Sequence, residues 1–200
     1  GEFFAEEIAG PLELEVFIGL PDGLEDRVSR LELADNWNAS GLFGETADPL
    51  QRAIWANPAC LARDSFPWND PAYHKAEIPG AGGIGTARSI AKLYASIEQL
   101  LSPAAIDLGV RELDSRLDPV ADEAQRFGVG FELQTEIRQL GPPLDAFGHT
   151  GAGGSCHGRW PAYGAGFSYA MNLMRDDCPD GDPRPRALLE AFHDCLERRA

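Results

Sequence analysis

The strongest periodic signal in the chain is helical. In "ARSIAKLYASIEQLL", residues 87–101, Ile90, Leu93, Tyr94, Ile97 and Leu101 recur at i, i+3, i+4, i+7 and i+11, one face of a helix that Thr86 caps. From residue 127 the period changes to that of a pleated strand. "FGVGFEL", "AFGHTG", "GSCHGRW" and "GFSYAMNLM" read as short strands separated by turns. In the last, Phe167, Tyr169, Met171 and Leu173 alternate with Ser168, Ala170 and Asn172, which predicts one half-buried strand over 167–174. Start and stop signals supply the other elements. Residues 2–9 read as the tail of a helix closed by Gly10 and Pro11. Asp48-Pro49 opens a short helix to Ala56, Ser102-Pro103 another, and Asp182-Pro183 the last, "RALLEAFHDCLERR". Residues 11–45 carry turn signals and one mixed apolar stretch, "VSRLEL". Residues 57–80, with Pro58, Pro67, Pro71 and Pro79, predict a long irregular excursion of the kind that forms functional walls.

Helices, then consecutive strands, then a helix make an α+β plan with an antiparallel sheet flanked by helices. Residues 1–120 are its helical and loop region, and 121–200 its strands and final helix. With 200 residues and 44% hydrophobic positions, one domain or a large part of one is expected. The opening "GEFFAEEIAG" has no initiating methionine and starts inside a helix, as in a processed or cut chain, so localisation is left open. No apolar run reaches the roughly 18 residues of a membrane span. A net charge of −15, from 32 acidic against 17 basic residues, disfavours nucleic acid and anionic membrane partners. "DDCPDGD" (176–182) lacks the spacing of a calcium loop and reads as an acidic turn. Cys60, Cys156, Cys178 and Cys195 show no zinc spacing, so no metal is expected, and disulfide pairing stays open.

Two motifs fail on context. "GAGGIG" (80–85) fits a dinucleotide turn, but "YHKAEIP" before it is polar and ends in proline where a buried strand is needed; a tight turn feeding a helix is expected. Ser89-Ile-Ala-Lys92 fits S-x-x-K, a nucleophile and base pair. Yet Lys92 falls opposite the apolar face, with Arg88, Ala95 and Gln99, and Ser89 at its margin, so the two do not converge. A thiol hydrolase using Cys156 with His149 or His157 is disfavoured, and the His157 pair fails because neighbours on a strand face opposite ways. His74 and His193 read as surface or packing residues.

The informative run is His149-Thr150-Gly151-Ala152. On a strand, His149 and Gly151 share one side and Thr150 the other. A glycine there lets a substrate approach the backbone, and the Ala152 N–H can then stabilise an oxyanion. His149 can bind a substrate carboxylate or polarise a hydroxyl.

"EIPGAGGIGTARSIAKLYA" (77–95), "FGHTGAGGS" (147–155) and "FSYAMNLM" (167–174), in that order, resemble the serine β-lactamase-related hydrolases, the class C and penicillin-binding-protein-like group that includes the family VIII esterases. The resemblance runs from residue 1 to the final helix. It implies the C-terminal portion of that fold. His149, Thr150 and Gly151 then match a third motif in which histidine replaces lysine, and bind substrate. Ala152 supplies an oxyanion-hole N–H. The family's S-x-x-K and tyrosine precede the segment resembling residues 1–15, so nucleophile and base are not expected in this chain. The implied reaction forms and hydrolyses an acyl-enzyme from esters, β-lactams or small amides, without a cofactor. The implied partners are the small-molecule acyl substrate and the missing N-terminal half. An unpaired apolar edge at 167–174 would also favour homo-oligomers. The alternative is a non-catalytic interaction protein on the same fold.

Overall fold

Four antiparallel strands, in the order β4 (Glu132–Leu133), β5 (Phe147–Gly151), β6 (Ser155–Trp160) and β7 (Ala165–Tyr169), form the frame on which the rest is placed. The structure is a computed structural model and describes residues 1–35, 67–117, 125–175 and 182–199, with Pro49. The register aligns Phe147 with Arg159 and Gly166, His149 with His157 and Ser168, and Thr150 with Cys156 and Tyr169. Because side chains alternate, each row shares one face of the sheet.

A helix covers each face. The C-terminal helix, Pro183–Glu197, lays Leu189, Phe192 and Leu196 over Leu140, Cys156, Trp160 and Phe167. Trp160 is wholly buried, stacks on Phe192 at 5.0 Å and donates its indole N–H to the Leu140 carbonyl at 2.8 Å. On the other face lies the helix Ala87–Ala95. Its approach depends on Gly166, where a Cβ would sit 2.2 Å from the Ala91 carbonyl oxygen. We number the helices α1 (Glu2–Phe4, widening into a π-turn over Ala5–Ala9), α2 (Pro71–Lys75), α3 (Ala87–Ala95), α4 (Ile97–Leu100), α5 (Pro103–Gly109) and α6 (Pro183–Glu197).

The caps fall where the sequence places them. Thr86 accepts the Ser89 amide, Ser102 that of Ala105 and Asp182 that of Arg184. Three expectations change. The helix over 87–101 is broken at Ser96, because the buried Arg159 guanidinium donates to the Tyr94 and Ala95 carbonyls at 3.1 Å each and also binds Glu98. Those carbonyls are the ones a continuous helix would give to the amides of residues 98 and 99. The single strand over 167–174 is two: β7 ends at Tyr169, and β8 (Leu173–Met174) leaves to pair in parallel with β2 (Glu32–Leu33). The Glu32 and Ala34 amides, bonded to the Asn172 and Met174 carbonyls, draw it there. The described part of the 57–80 excursion is ordered as a 3-10 turn, Pro67–Asn69, and α2, which Asp70 caps.

The first 35 residues also contribute β1 (Val16–Ile18), antiparallel to β3 (Gly83–Gly85). "GAGGIG" is thus a turn and a strand of a two-stranded ribbon before the Thr86 cap, and the strand–turn–helix of a dinucleotide site is not formed. The helix expected after Asp48 and most of the acidic run 176–182 lie outside the described residues. Among the described residues no helix is long and apolar enough to cross a membrane.

Candidate active site

Strand β5 places the histidine motif with His149 and Gly151 on the α3 face and Thr150 on the α6 face. The His149 side chain is 62% exposed, beside the Phe127 ring at 6.1 Å. Its Nδ1 meets the Thr150 carbonyl, so the neutral ring carries its proton there and leaves a lone pair on Nε2. Thr150 is half-buried, and both its donors are spent. Its amide at 2.7 Å and its hydroxyl at 2.9 Å go to one oxygen of Glu132, which also lies 3.8 Å from His149 Nδ1.

Glu132 is the residue that sequence reading missed. It sits on β4 with 4% exposure, and Gln139 donates to its other oxygen. A buried carboxylate persists only where donors meet it, and here all three come from outside its own strand. The available signal was an acid inside the apolar stretch "FEL", which pattern alone reads as a solvent-facing position.

After Gly151 the chain turns over Ala152, Gly153 and Gly154, closed by a bond from the Gly154 amide to the Gly151 carbonyl at 3.1 Å. Gly153 and Gly154 have φ of +85° and +107°, which favour glycine. A Cβ on Gly153 would also lie 2.8 Å from atoms of Met171 and Met174. Ala152 stands exposed at the tip, and its N–H has no acceptor among the described residues. An amide held outward without a partner can receive a developing negative charge.

Across the sheet from His149, His157 pairs through Nδ1 with the Ser168 hydroxyl at 2.7 Å. Burial, assisted by His149, holds its imidazole down to about 4, so it is neutral at physiological pH. Cys156 is on the opposite face. Burial, then Glu132, pushes its thiol up to about 12, and its Sγ reaches the Gln139 carbonyl at 3.2 Å. It is neither thiolate nor within the His149 row.

Ser89 and Lys92 do not converge. Ser89 is buried and not marginal, because its hydroxyl accepts the Glu15 amide at 3.0 Å and anchors the first segment to α3. Lys92 is 47% exposed and 4.0 Å from Glu13. His74 is a buried tie, with Nδ1 2.9 Å from Glu25 and Nε2 2.7 Å from the Trp68 carbonyl. His193 packs edge-on to Trp160 and Tyr163. A cavity of about 220 Å³ between Phe4, Val16, Phe17 and Glu77 is not lined by any residue of β5. Among the described residues no three metal-ligating side chains gather.

The chain matches the family model for beta-lactamase over residues 1–191. It is 31% identical over 104 residues to "Esterase/beta-lactamase LipL" of Mycobacterium tuberculosis (strain ATCC 25618 / H37Rv), a match covering 50% of this chain and 24% of that protein. A family VIII carboxylesterase structure superposes with TM-score 0.78 and 33% identity over 98% of this chain and 51% of that one. A penicillin-binding protein homolog from Caulobacter crescentus gives 0.77 and 28% over 97% and 52%. EstA from Arthrobacter nitroguajacolicus Rue61a gives 0.80 over 100% and 54%; at 23% identity it shows likeness of fold alone. The chain therefore spans about half the length of these structures, and its match to the curated relative covers about a quarter of that protein.

Proposed function

The chain belongs to the β-lactamase family, and from that premise we propose that it forms the substrate-facing wall of a serine hydrolase. In this reading the attacking hydroxyl and its base come from polypeptide outside these residues. The serine oxygen adds to the carbonyl carbon of an ester, β-lactam or small amide, and its proton passes to the base. The carbonyl oxygen becomes an oxyanion facing the Ala152 N–H. The C–O or C–N bond then breaks, the leaving group takes a proton, and water hydrolyses the acyl-enzyme. His149 faces the bound substrate through Nε2, where its lone pair accepts a proton or a hydrogen bond. Thr150, whose hydroxyl proton goes to Glu132, offers a ligand only lone pairs and keeps the strand in register.

The observation that carries this reading is the unpartnered Ala152 amide, at the tip of the turn that follows the strand of the exposed His149 and closes through two left-handed glycines. A fluorophosphonate probe tests it. Applied to the protein expressed with its upstream coding sequence, the probe is expected to label one serine outside residues 1–200. This chain alone should stay unlabelled. Labelling at Ser89 would defeat the assignment, and no labelling of the longer protein would favour the non-catalytic alternative. In the labelled protein, His149→Ala is expected to lower kcat/KM by about 10- to 100-fold, within the range of general acid–base groups.

A further inference from the structure

The turn that carries Ala152 is bolted in place from the far end of the chain. The Gly153 carbonyl accepts the Arg175 amide at 3.1 Å and Arg184 Nη2 at 3.0 Å. The same guanidinium sends Nη1 to the Leu173 carbonyl on β8 at 2.7 Å, and Nε and Nη2 to the Asp182 carboxylate at 3.0 Å and 2.5 Å. Asp182 caps α6 by accepting the Arg184 amide at 2.8 Å. The two side chains are 24% and 9% exposed, and the Tyr169 ring lies 6.0 Å from Arg184 Cζ. Gly154 leaves the space, since a Cβ there would sit 2.1 Å from Asp182 Oδ2.

We propose that Arg184, anchored by Asp182, is the positioning residue that fixes the Ala152 N–H through the Gly153 carbonyl. The proposal rests on the reading of Ala152 as an oxyanion donor. Such a donor lowers a barrier only when its direction is set before reaction, and about half an ångström of slack is costly. A turn of glycines has little stiffness of its own. Stiffness must come from a neighbour, and only a planar fork meets the turn, β8 and the α6 cap at once; lysine has a point charge in its place. Burial pushes the Asp182 carboxyl up, but its bonds from Arg184 outweigh this and hold it below the ordinary range, so the pair stays ionised.

The test uses Arg184→Lys and Arg184→Ala, with amide hydrogen exchange resolved by NMR in this chain. Exchange at the two bonded amides of the turn, Gly154 to the Gly151 carbonyl and Arg175 to the Gly153 carbonyl, is expected to rise about tenfold or more, with interior amides of β6 and α6 unchanged as the control for folding. Added guanidinium should restore protection in Arg184→Ala. In the protein carrying the nucleophile, Arg184→Lys is expected to lower kcat about tenfold while KM moves less than about twofold, the pattern of a lost transition-state contact. Unchanged exchange at the Gly154 and Arg175 amides in both variants overturns the proposal, as does a loss confined to KM. A protein that no serine probe labels would sink the hydrolase reading and with it the catalytic role, whereas the exchange result still decides whether Arg184 holds the turn.

Discussion

Glu132 concentrates the energetics of the site in one carboxylate. Glu132→Gln keeps the shape but turns an amide N–H toward a donor from Thr150 or Gln139, leaving at least one buried group unpaired. A loss of about 1–3 kcal/mol is expected in urea denaturation, and Thr150→Val should be partly redundant with it in a double-mutant cycle. Equal stability of Glu132→Gln would mean that the carboxylate is not holding β5. His157 gives a pH dependence. The unfolded chain takes up a proton at this imidazole near 6.5, the folded chain only at about 4. Between those values the unfolded state binds more protons, so stability falls as pH drops through the window. Discounted for residual contact with water, the full shift is worth on the order of 2 kcal/mol. His157→Asn is expected to flatten the slope of the urea midpoint between about pH 6.5 and pH 4; an unchanged slope would assign it to other groups.

At the scale of elements, the contact of α3 with the sheet turns on a missing side chain. Gly166→Ala would push a methyl group against the Ala91 carbonyl and the Ala95 amide, 2.2 Å and 2.5 Å away. A destabilisation of about 1–3 kcal/mol or more is expected, with α3 losing exchange protection before α6. A silent substitution would show that α3 can slide. The helix starts were legible because a cap is a local device: Thr86, Ser102 and Asp182 each bond an amide two or three residues on. The break at Ser96 was not, since it answers to Arg159, 65 residues away from Tyr94. Nor was the departure of β8, because the alternation of residues 167–173 continues unbroken through the bend.

The whole molecule has the fold of β-lactamase-like hydrolases, with one helix layer on each face of an antiparallel sheet. Among the described residues β7 is bonded on one side only, to β6, with Phe167 buried beneath it. A free edge of this kind pairs readily with another strand. The chain alone is therefore expected to associate: sedimentation should show a concentration-dependent species heavier than 21.7 kDa, and the melting temperature should rise with concentration. A monomer with a concentration-independent cooperative transition would mean that β7 is protected.

The sequence by itself determined the helix caps, the strand-rich region after residue 127, the placement of His149 and Thr150 on opposite faces, and the failure of "GAGGIG" and Ser89-Lys92 as sites. Each follows from neighbours within a few residues, where periodicity and turn chemistry act. Only the tertiary structure decided which groups meet across the chain. Glu132 reaches Thr150 over 18 residues, Arg184 reaches Gly153 over 31, and Arg159 reaches Tyr94 over 65. A buried charge is settled by the donors that folding brings to it, and no pattern along the chain records where those donors come from.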